Sequence, residues 1–278
     1  MTYTTITYAV EDAIATITLN RPEARNGFTA DMANELGAAI TAADLDDDVR
    51  VIVLTATGKY FCVGMDLSAG GGQEDMDSPD WVEWATRVAR PMTNARKPVI
   101  AALNGPAVGV GITMTLPADF RVAADDARFG FVFGRRGLAP EAGSLWYLPQ
   151  LVGLAKAKEW MLTGRLIEAD EALAAGLVTS LHPREQVLDA AYALAREIAT
   201  EIAPGSAAVI RRGLVAMTAE GSPEAAFRFD KKTIPHALRS KDIAEGIGAF
   251  LEKREPSFTG VARRDLPDLE KWIEDAIS

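Results

Sequence analysis

Residues 98–118, PVIAALNGPAVGVGITMTLPA, constrain this chain more than any other segment, because they carry no charge at all. Such a stretch is just long enough to cross a bilayer as a helix. Asn104-Gly105-Pro106 interrupts it after a short apolar run, and glycines recur at 109 and 111. A lipid-exposed turn there would leave backbone groups unsatisfied, each costing roughly several kcal/mol. The segment therefore reads as a buried strand, a Gly-rich turn and a short buried helix ending near Leu116. No transmembrane segment is expected. Residues 1–20 alternate apolar and polar side chains and lack a basic region before an apolar core, so they read as a strand pair and not a signal peptide.

The rest of the chain supplies matching pieces. Residues 3–10 and 13–19 look like a hairpin, followed by a turn at Asn20-Arg21-Pro22. Met32, Leu36, Ala39 and Ile40 recur at helical spacing and predict a helix over 29–44. The β-branched run 49–56 predicts a buried strand, which Thr57-Gly58-Lys59 breaks. Residues 68–79 form a Gly/Ser/acid-rich loop, expected to be mobile. A helix over 79–93 and an apolar stretch at 120–123 complete this half. From Ser144 onward the pattern is nearly continuous helix, at 155–163, 168–175, 186–202, 206–217, 223–239 and 241–253. Strands alternating with helices, then helices alone, predict an α/β core of βαβ type with a helical C-terminal region.

Composition narrows the function classes. Against 39 acidic side chains stand 29 basic ones, a net charge of −10, and phosphate backbones require clustered positive surface, so no nucleic-acid partner is expected. The single cysteine, Cys62, supports neither an internal disulfide nor a thiolate metal cluster and fits a reducing, cytoplasmic setting. Two histidines, His182 and His236, leave little room for imidazole chemistry, and His182, preceding Pro183, reads as a loop residue. The string nearest to a G-x-S-x-G elbow is Glu141-Ala142-Gly143-Ser144-Leu145. Gly58-Lys59 lacks the P-loop's first glycine, with Val53 there, and Tyr60 follows the lysine. Gly109-Val110-Gly111 has Met114 where a dinucleotide fingerprint needs a third small residue. No metal-ligand spacing occurs, so no metal is expected.

Two strand-to-helix turns remain: Phe61-Cys62-Val63-Gly64-Met65-Asp66-Leu67, and Asn104-Gly105-Pro106-Ala107-Val108-Gly109-Val110-Gly111. Each places glycine-adjacent N–H groups close to a helix N-terminus, where free donors point outward with partial positive charge. They can be ordinary Gly turns of a parallel sheet. They can also converge on one oxygen as an oxyanion hole, each donor worth about 2–4 kcal/mol.

Together with Asn20-Arg21-Pro22-Glu23-Ala24-Arg25-Asn26, Lys97-Pro98-Val99-Ile100-Ala101-Ala102-Leu103-Asn104-Gly105, Phe129-Gly130, Gly137-Leu138-Ala139-Pro140-Glu141, Leu162-Thr163-Gly164-Arg165 and the run from Ala172 to Val178, these strings resemble the crotonase (enoyl-CoA hydratase/isomerase) superfamily, in its order and spacing. The resemblance implies a spiral of ββα units, here residues 1–200, and a helical C-terminal trimerisation region, 201–278. It implies an acyl-CoA thioester as substrate, no separate cofactor, a homotrimer or dimer of trimers, and backbone donors at Met65 and Val110. It further implies substrate contacts from Ala24, Arg25, Cys62, Gly64, Asp66, Leu67, Gly111, Phe133, Pro140 and Lys253. Arg25 and Lys253 can meet CoA phosphates or be plain solvated cations. Asp66 reads as a helix cap or turn carboxylate rather than a catalyst, and Cys62 as a small packing residue beside the CoA channel, not a nucleophile. Val110 stands where the family usually has glycine, so its donor role requires an already helical backbone.

Hydratases of this superfamily use two glutamates, at positions that here hold Thr113 and Phe133. Neither serves as a general base at neutral pH. Glu141 remains, at a place where some isomerases of the superfamily carry their catalytic acid. One base is enough to move a double bond, and burial among Phe131, Phe133, Leu145 and Trp146 would raise its pKa. The expected activity is thus an enoyl-CoA isomerase with Glu141 as its acid/base. The alternatives are a hydratase using Glu141 alone and an acyl-CoA-binding protein without turnover; Glu141 can also be a simple helix N-terminal carboxylate.

Overall fold

The computed structural model describes residues 2–67 and 74–278. Strands β1 (Ile6–Glu11) and β2 (Ile14–Leu19) pair antiparallel with Glu11 opposite Ile14, leaving Asp12 and Ala13 as a two-residue turn. Both turn residues have positive φ, 50° and 61°, as the twist-compatible hairpin turn requires. Helix α1 (Ala30–Leu45) starts where Thr29 Oγ1 accepts the Met32 N–H, and it buries Met32, Leu36, Ala39 and Ile40. Strand β3 (Val51–Ala56) follows, buried along its whole length and parallel to β2.

Helix α2 (Trp84–Asn94) begins five residues later than the sequence pattern suggests. The reason is local: the Glu83 carboxylate accepts the N–H groups of Ala85 and Thr86, so the orphan donors of the first turn are satisfied there. Of the loop expected at 68–79, residues 68–73 lie outside the described residues, and 74–79 form turns. Next come β4 (Val99–Leu103), the short β5 (Ala107–Val108), the one-turn α3 (Val110–Thr113), β6 (Phe120–Ala124) and β7 (Arg128–Gly130). Arg121, almost fully buried, donates to the carbonyls of Thr115, Leu116 and Ala118, and so anchors the segment that leaves α3.

The second half is less purely helical than its pattern. Between α4 (Ser144–Val152), α5 (Leu154–Thr163), α6 (Ala169–Ala174) and α7 (Val187–Glu201) lie two three-residue strands, β8 (Leu166–Glu168) and β9 (Ser180–His182). Strands this short carry no readable alternation, and long-range pairing creates them: Ile167 opposite Phe129, and Ser180 opposite Val122. His182 is thus the end of a strand and not a loop residue, its Nε2 3.0 Å from Ser180 Oγ. Helices α8 (Pro204–Thr218), α9 (Glu224–Ala237), α10 (Lys241–Glu252), α11 (Ala262–Asp265) and α12 (Leu269–Ile277) close the chain.

One sheet runs β1-β2-β3-β4-β6-β9, all parallel except the hairpin; the other runs β5-β7-β8. The main core lies between the larger sheet and α1, α2 and α7. A smaller apolar cluster joins Ala208, Phe229, Leu266, Leu269 and Ile273 of the last helices. Arg211 ties the two together, with Nε 2.7 Å from Asp119 Oδ2 and its other nitrogens donating to carbonyls such as Met92 and Thr93. No described helix is long and apolar enough to cross a membrane.

Candidate active site

The loop after β2 is stitched to the end of β3 by one side chain. Asn26, fully buried, donates from Nδ2 to the carbonyls of Thr57 and Tyr60, each at 2.9 Å, and accepts the Arg21 N–H at 2.8 Å. Its φ of 52° lies in the region that asparagine tolerates better than most residues. Arg21 then reaches Asp66 at 3.0 Å. This ion pair ties the segment 61–67 to the loop.

That segment runs alongside β5. Cys62 N–H donates to Pro106 O at 3.3 Å, and Val108 N–H donates to Cys62 O at 3.0 Å. Two residues after Cys62 and directly after Val108 stand glycines with positive φ, Gly64 at 103° and Gly109 at 57°. They nearly touch: a β-carbon on Gly109 would lie 3.8 Å from Gly64 Cα, and one on Gly64 would lie 3.2 Å from Val108 O. Met65 and Val110 follow directly. In the bridge between Phe28 and Met65 both hydrogen bonds belong to Phe28, with Gly64 O and Asp66 N, so the Met65 N–H faces away from it. Val110 is the first residue of α3, where an N–H has no intrahelical acceptor, and its backbone is helical. Neither N–H has an acceptor among the described residues. The condition attached to Val110 is met.

Glu141 closes the arrangement. Thr113 Oγ1 donates to its Oε1 at 2.5 Å, while Oε2 is buried without a hydrogen-bond partner among the described residues. The same hydroxyl lies 3.2 Å from Gly109 O, the carbonyl of the peptide whose N–H is that of Val110. Burial pushes the Glu141 carboxyl up to about 7; the Thr113 hydrogen bond opposes this and the Glu83 carboxylate adds to it. Glu141 lies just before α4, whose Ser144 N–H donates to the Glu141 main-chain carbonyl at 3.0 Å; the helix is entered through Gly143 with no side-chain cap. A carboxyl whose pKa burial brings to about 7 thus stands one hydroxyl away from the carbonyl side of the Gly109–Val110 peptide.

The sequence model of the enoyl-CoA hydratase/isomerase family matches residues 9–261. The chain belongs to that family. It is 39% identical over 248 residues to the enoyl-CoA hydratase ACTT3 of Alternaria alternata, covering 89% of this chain and 83% of that one. It is 34% identical over 255 residues to the 1,2-epoxyphenylacetyl-CoA isomerase of Escherichia coli, covering 90% of this chain and 97% of the other. The structure of an enoyl-CoA hydratase from Bacillus anthracis superposes with a TM-score of 0.84 at 30% identity, covering 92% of this chain and all of that one. The fold is therefore the crotonase α/β fold, and enzymes of this family act on CoA thioesters without a separate cofactor. Among the described residues no group of three or more His, Cys, Asp or Glu could hold a metal ion.

The structure gathers some of the sequence-selected residues and scatters others. Met65 and Leu67 are exposed, at 47% and 81%, whereas Phe133 is buried. Cys62 is fully buried, and burial pushes its thiol up to about 12. Phe131 is fully buried and stacked on Trp160, and Leu145 is largely exposed. Arg25, at the end of a 3-10 turn beginning at Pro22 and containing Ala24, lies over the Tyr60 ring at 5.6 Å. Pro140 is half-buried next to Glu141. Lys253 ends α10 and lines a separate cavity of about 500 Å³ with Gly246, Phe250, Arg254 and Phe258. Two residues escaped the sequence reading as parts of the site. Asn26 had no signal beyond its family string, and Thr113 read only as the absence of a glutamate.

Proposed function

We propose that this family member is an enoyl-CoA isomerase that moves a 3-enoyl double bond to the 2 position. The observation that carries this is Glu141: one carboxyl oxygen is held by Thr113 and the other is buried without a partner among the described residues, while the same Thr113 hydroxyl lies 3.2 Å from the carbonyl of the Gly109–Val110 peptide. In the proposed reaction the α C–H bond breaks, its proton goes to Glu141 Oε2, and the electron pair moves onto the thioester oxygen. Met65 and Val110 N–H groups hold that oxygen in the dienolate. The proton then returns to the γ-carbon, and the electrons restore the thioester with a new α,β double bond. A carboxyl near 7 is populated in both forms at neutral pH, which suits one group that must take and give the same proton.

Thr113 and Phe133, at the places of the hydratase glutamates, support isomerisation over hydration. The Alternaria relative, named a hydratase, supports the second reading, in which Glu141 alone activates water. Incubation with 3-hexenoyl-CoA and, separately, crotonyl-CoA decides between them. Isomerisation of the first with little hydration of the second is expected, and strong hydration without isomerisation overturns the proposal. Contacts from Ala24, Arg25, Cys62, Gly64, Asp66, Leu67, Gly111, Phe133, Pro140 and Lys253 to the thioester and CoA belong to the same proposal.

The proposed assembly is a homotrimer or dimer of trimers, with residues 201–278 as the assembly region. Ile210, Leu214, Phe227, Leu238 and Phe250 of that region are all exposed, which in a single chain leaves a large apolar surface in water. A single thiol that is fully buried supports a cytoplasmic location.

A further inference from the structure

The Thr113 hydroxyl has one hydrogen and two acceptors, Glu141 Oε1 at 2.5 Å and Gly109 O at 3.2 Å. Gly109 O belongs to the same planar peptide as the Val110 N–H. We propose that Thr113 is a positioning residue that couples the charge of Glu141 to the donor strength of the Val110 N–H, through the Gly109–Val110 peptide. The coupling follows from competition. While Glu141 is ionised, its carboxylate is the stronger acceptor and holds the hydroxyl hydrogen. Once Oε2 takes a proton, Oε1 becomes a neutral and weaker acceptor, and the hydrogen shifts toward Gly109 O. That carbonyl already accepts from the Ile112 and Thr113 N–H groups, so the added donor strengthens an existing chain. A donor on the carbonyl withdraws electron density from the amide and makes its N–H a better donor. In the proposed reaction the gain arrives when it is needed, since the step that gives Glu141 the α-proton is the step that places charge on the substrate oxygen. When the proton returns to carbon, the hydroxyl returns to the carboxylate and the grip relaxes.

The other groups facing Glu141 are the Glu83 carboxylate at the head of α2 and the Cys62 thiol, which stays neutral. Neither is altered in the variants below. The inference rests on Glu141 as acid/base, but it can fail separately, because its main readout requires no turnover.

The test is the thioester carbonyl band of bound butyryl-CoA, a saturated thioester with no double bond to move, recorded by isotope-edited infrared difference spectroscopy between about pH 5 and 9. In the native protein the band is expected at lower wavenumber in the acid form and to move as Glu141 titrates. Thr113→Val, which keeps the shape and removes the hydroxyl, abolishes the movement; Thr113→Ser restores it; Glu141→Gln holds the band at one position at every pH. In turnover the valine variant lowers kcat by about two- to tenfold with KM little changed, the worth of one net hydrogen bond, and serine rescues it. A native band indifferent to pH, an unchanged movement in the valine variant, or movement that persists in Glu141→Gln overturns the proposal. Loss of enoyl-CoA isomerisation with the band behaviour intact overturns only the reading of the reaction.

Discussion

A β-carbon on Gly111 would collide with the main-chain carbonyl oxygen of Cys62 and stand 2.9 Å from the Cys62 Cβ. This close approach lets the 61–67 turn lie against α3 and brings Gly64 and Gly109 together. Backbone atoms cannot swing aside, so relief requires moving one turn away from the other. Gly111→Ala is expected to lower stability by about 1–3 kcal/mol or more, measured by urea denaturation. Residual folded protein should lose turnover disproportionately, because the two N–H donors separate.

In the proposed isomerisation, proton abstraction from the α-carbon requires ionised Glu141. With the carboxyl near 7, kcat/KM for 3-enoyl-CoA should rise with pH through about 7 and level off above it. Glu141→Gln should lower kcat by about 10²–10⁴-fold and flatten the profile. A rate limb near the ordinary carboxylate range would show that burial does not govern the reacting group.

The same carboxyl weakens the fold at high pH. Its folded value, about 7, lies above the ordinary value of 4.5, so between these limits the unfolded chain has ionised while the folded one has not. The favourable burial of the neutral acid is complete below about pH 4.5 and lost as pH rises through about 7. Glu141→Gln, always neutral, should therefore raise Tm above pH 7 and change it little near pH 4. Thermal melts of both proteins across this range measure the difference.

Asn26 satisfies two carbonyls and one N–H that belong to three separate positions of the chain. Asn26→Ala leaves these groups without partners and places alanine at positive φ, with an expected loss of about 2–4 kcal/mol. Calorimetry checks the loss. Because the loop also anchors Asp66 through Arg21, affinity for acyl-CoA should fall as well.

Leu214 and Phe250 expose 66% and 81% of their surface on the last helices. If these faces carry the assembly, Leu214→Glu or Phe250→Glu should convert it to single chains that keep their far-ultraviolet circular dichroism. Sedimentation velocity reads the change. A native protein that sediments as one chain of 29.8 kDa overturns the assembly.

Local pattern revealed the elements whose signal is local. The hairpin, α1, β3, β4 and α7 are long enough for apolar periodicity or a β-branched run to declare them. The strands β8 and β9 are three residues each and exist because Phe129 and Val122 lie across from them in the folded chain. The start of α2 was set by Glu83, which caps it from inside the stretch expected as helix, and the four-residue α11 is too short to declare itself.

The site divides along the same line. Both glycine turns, the lone Glu141 and the missing hydratase glutamates are properties of the linear chain and could be read there. What Glu141 is depends on surroundings that arrive from elsewhere: Thr113 lies 28 residues away, and Glu83 much farther. Burial, and with it the raised pKa and the partnerless Oε2, is created when segments distant in sequence exclude water together. Sequence alone therefore determined which groups were available for the chemistry. Only the tertiary structure decided that Gly64 and Gly109 meet, and that the Thr113 hydroxyl lies between the Glu141 carboxyl and the Gly109 carbonyl. Distance and dielectric are set by packing, which no local stretch of chain encodes by itself.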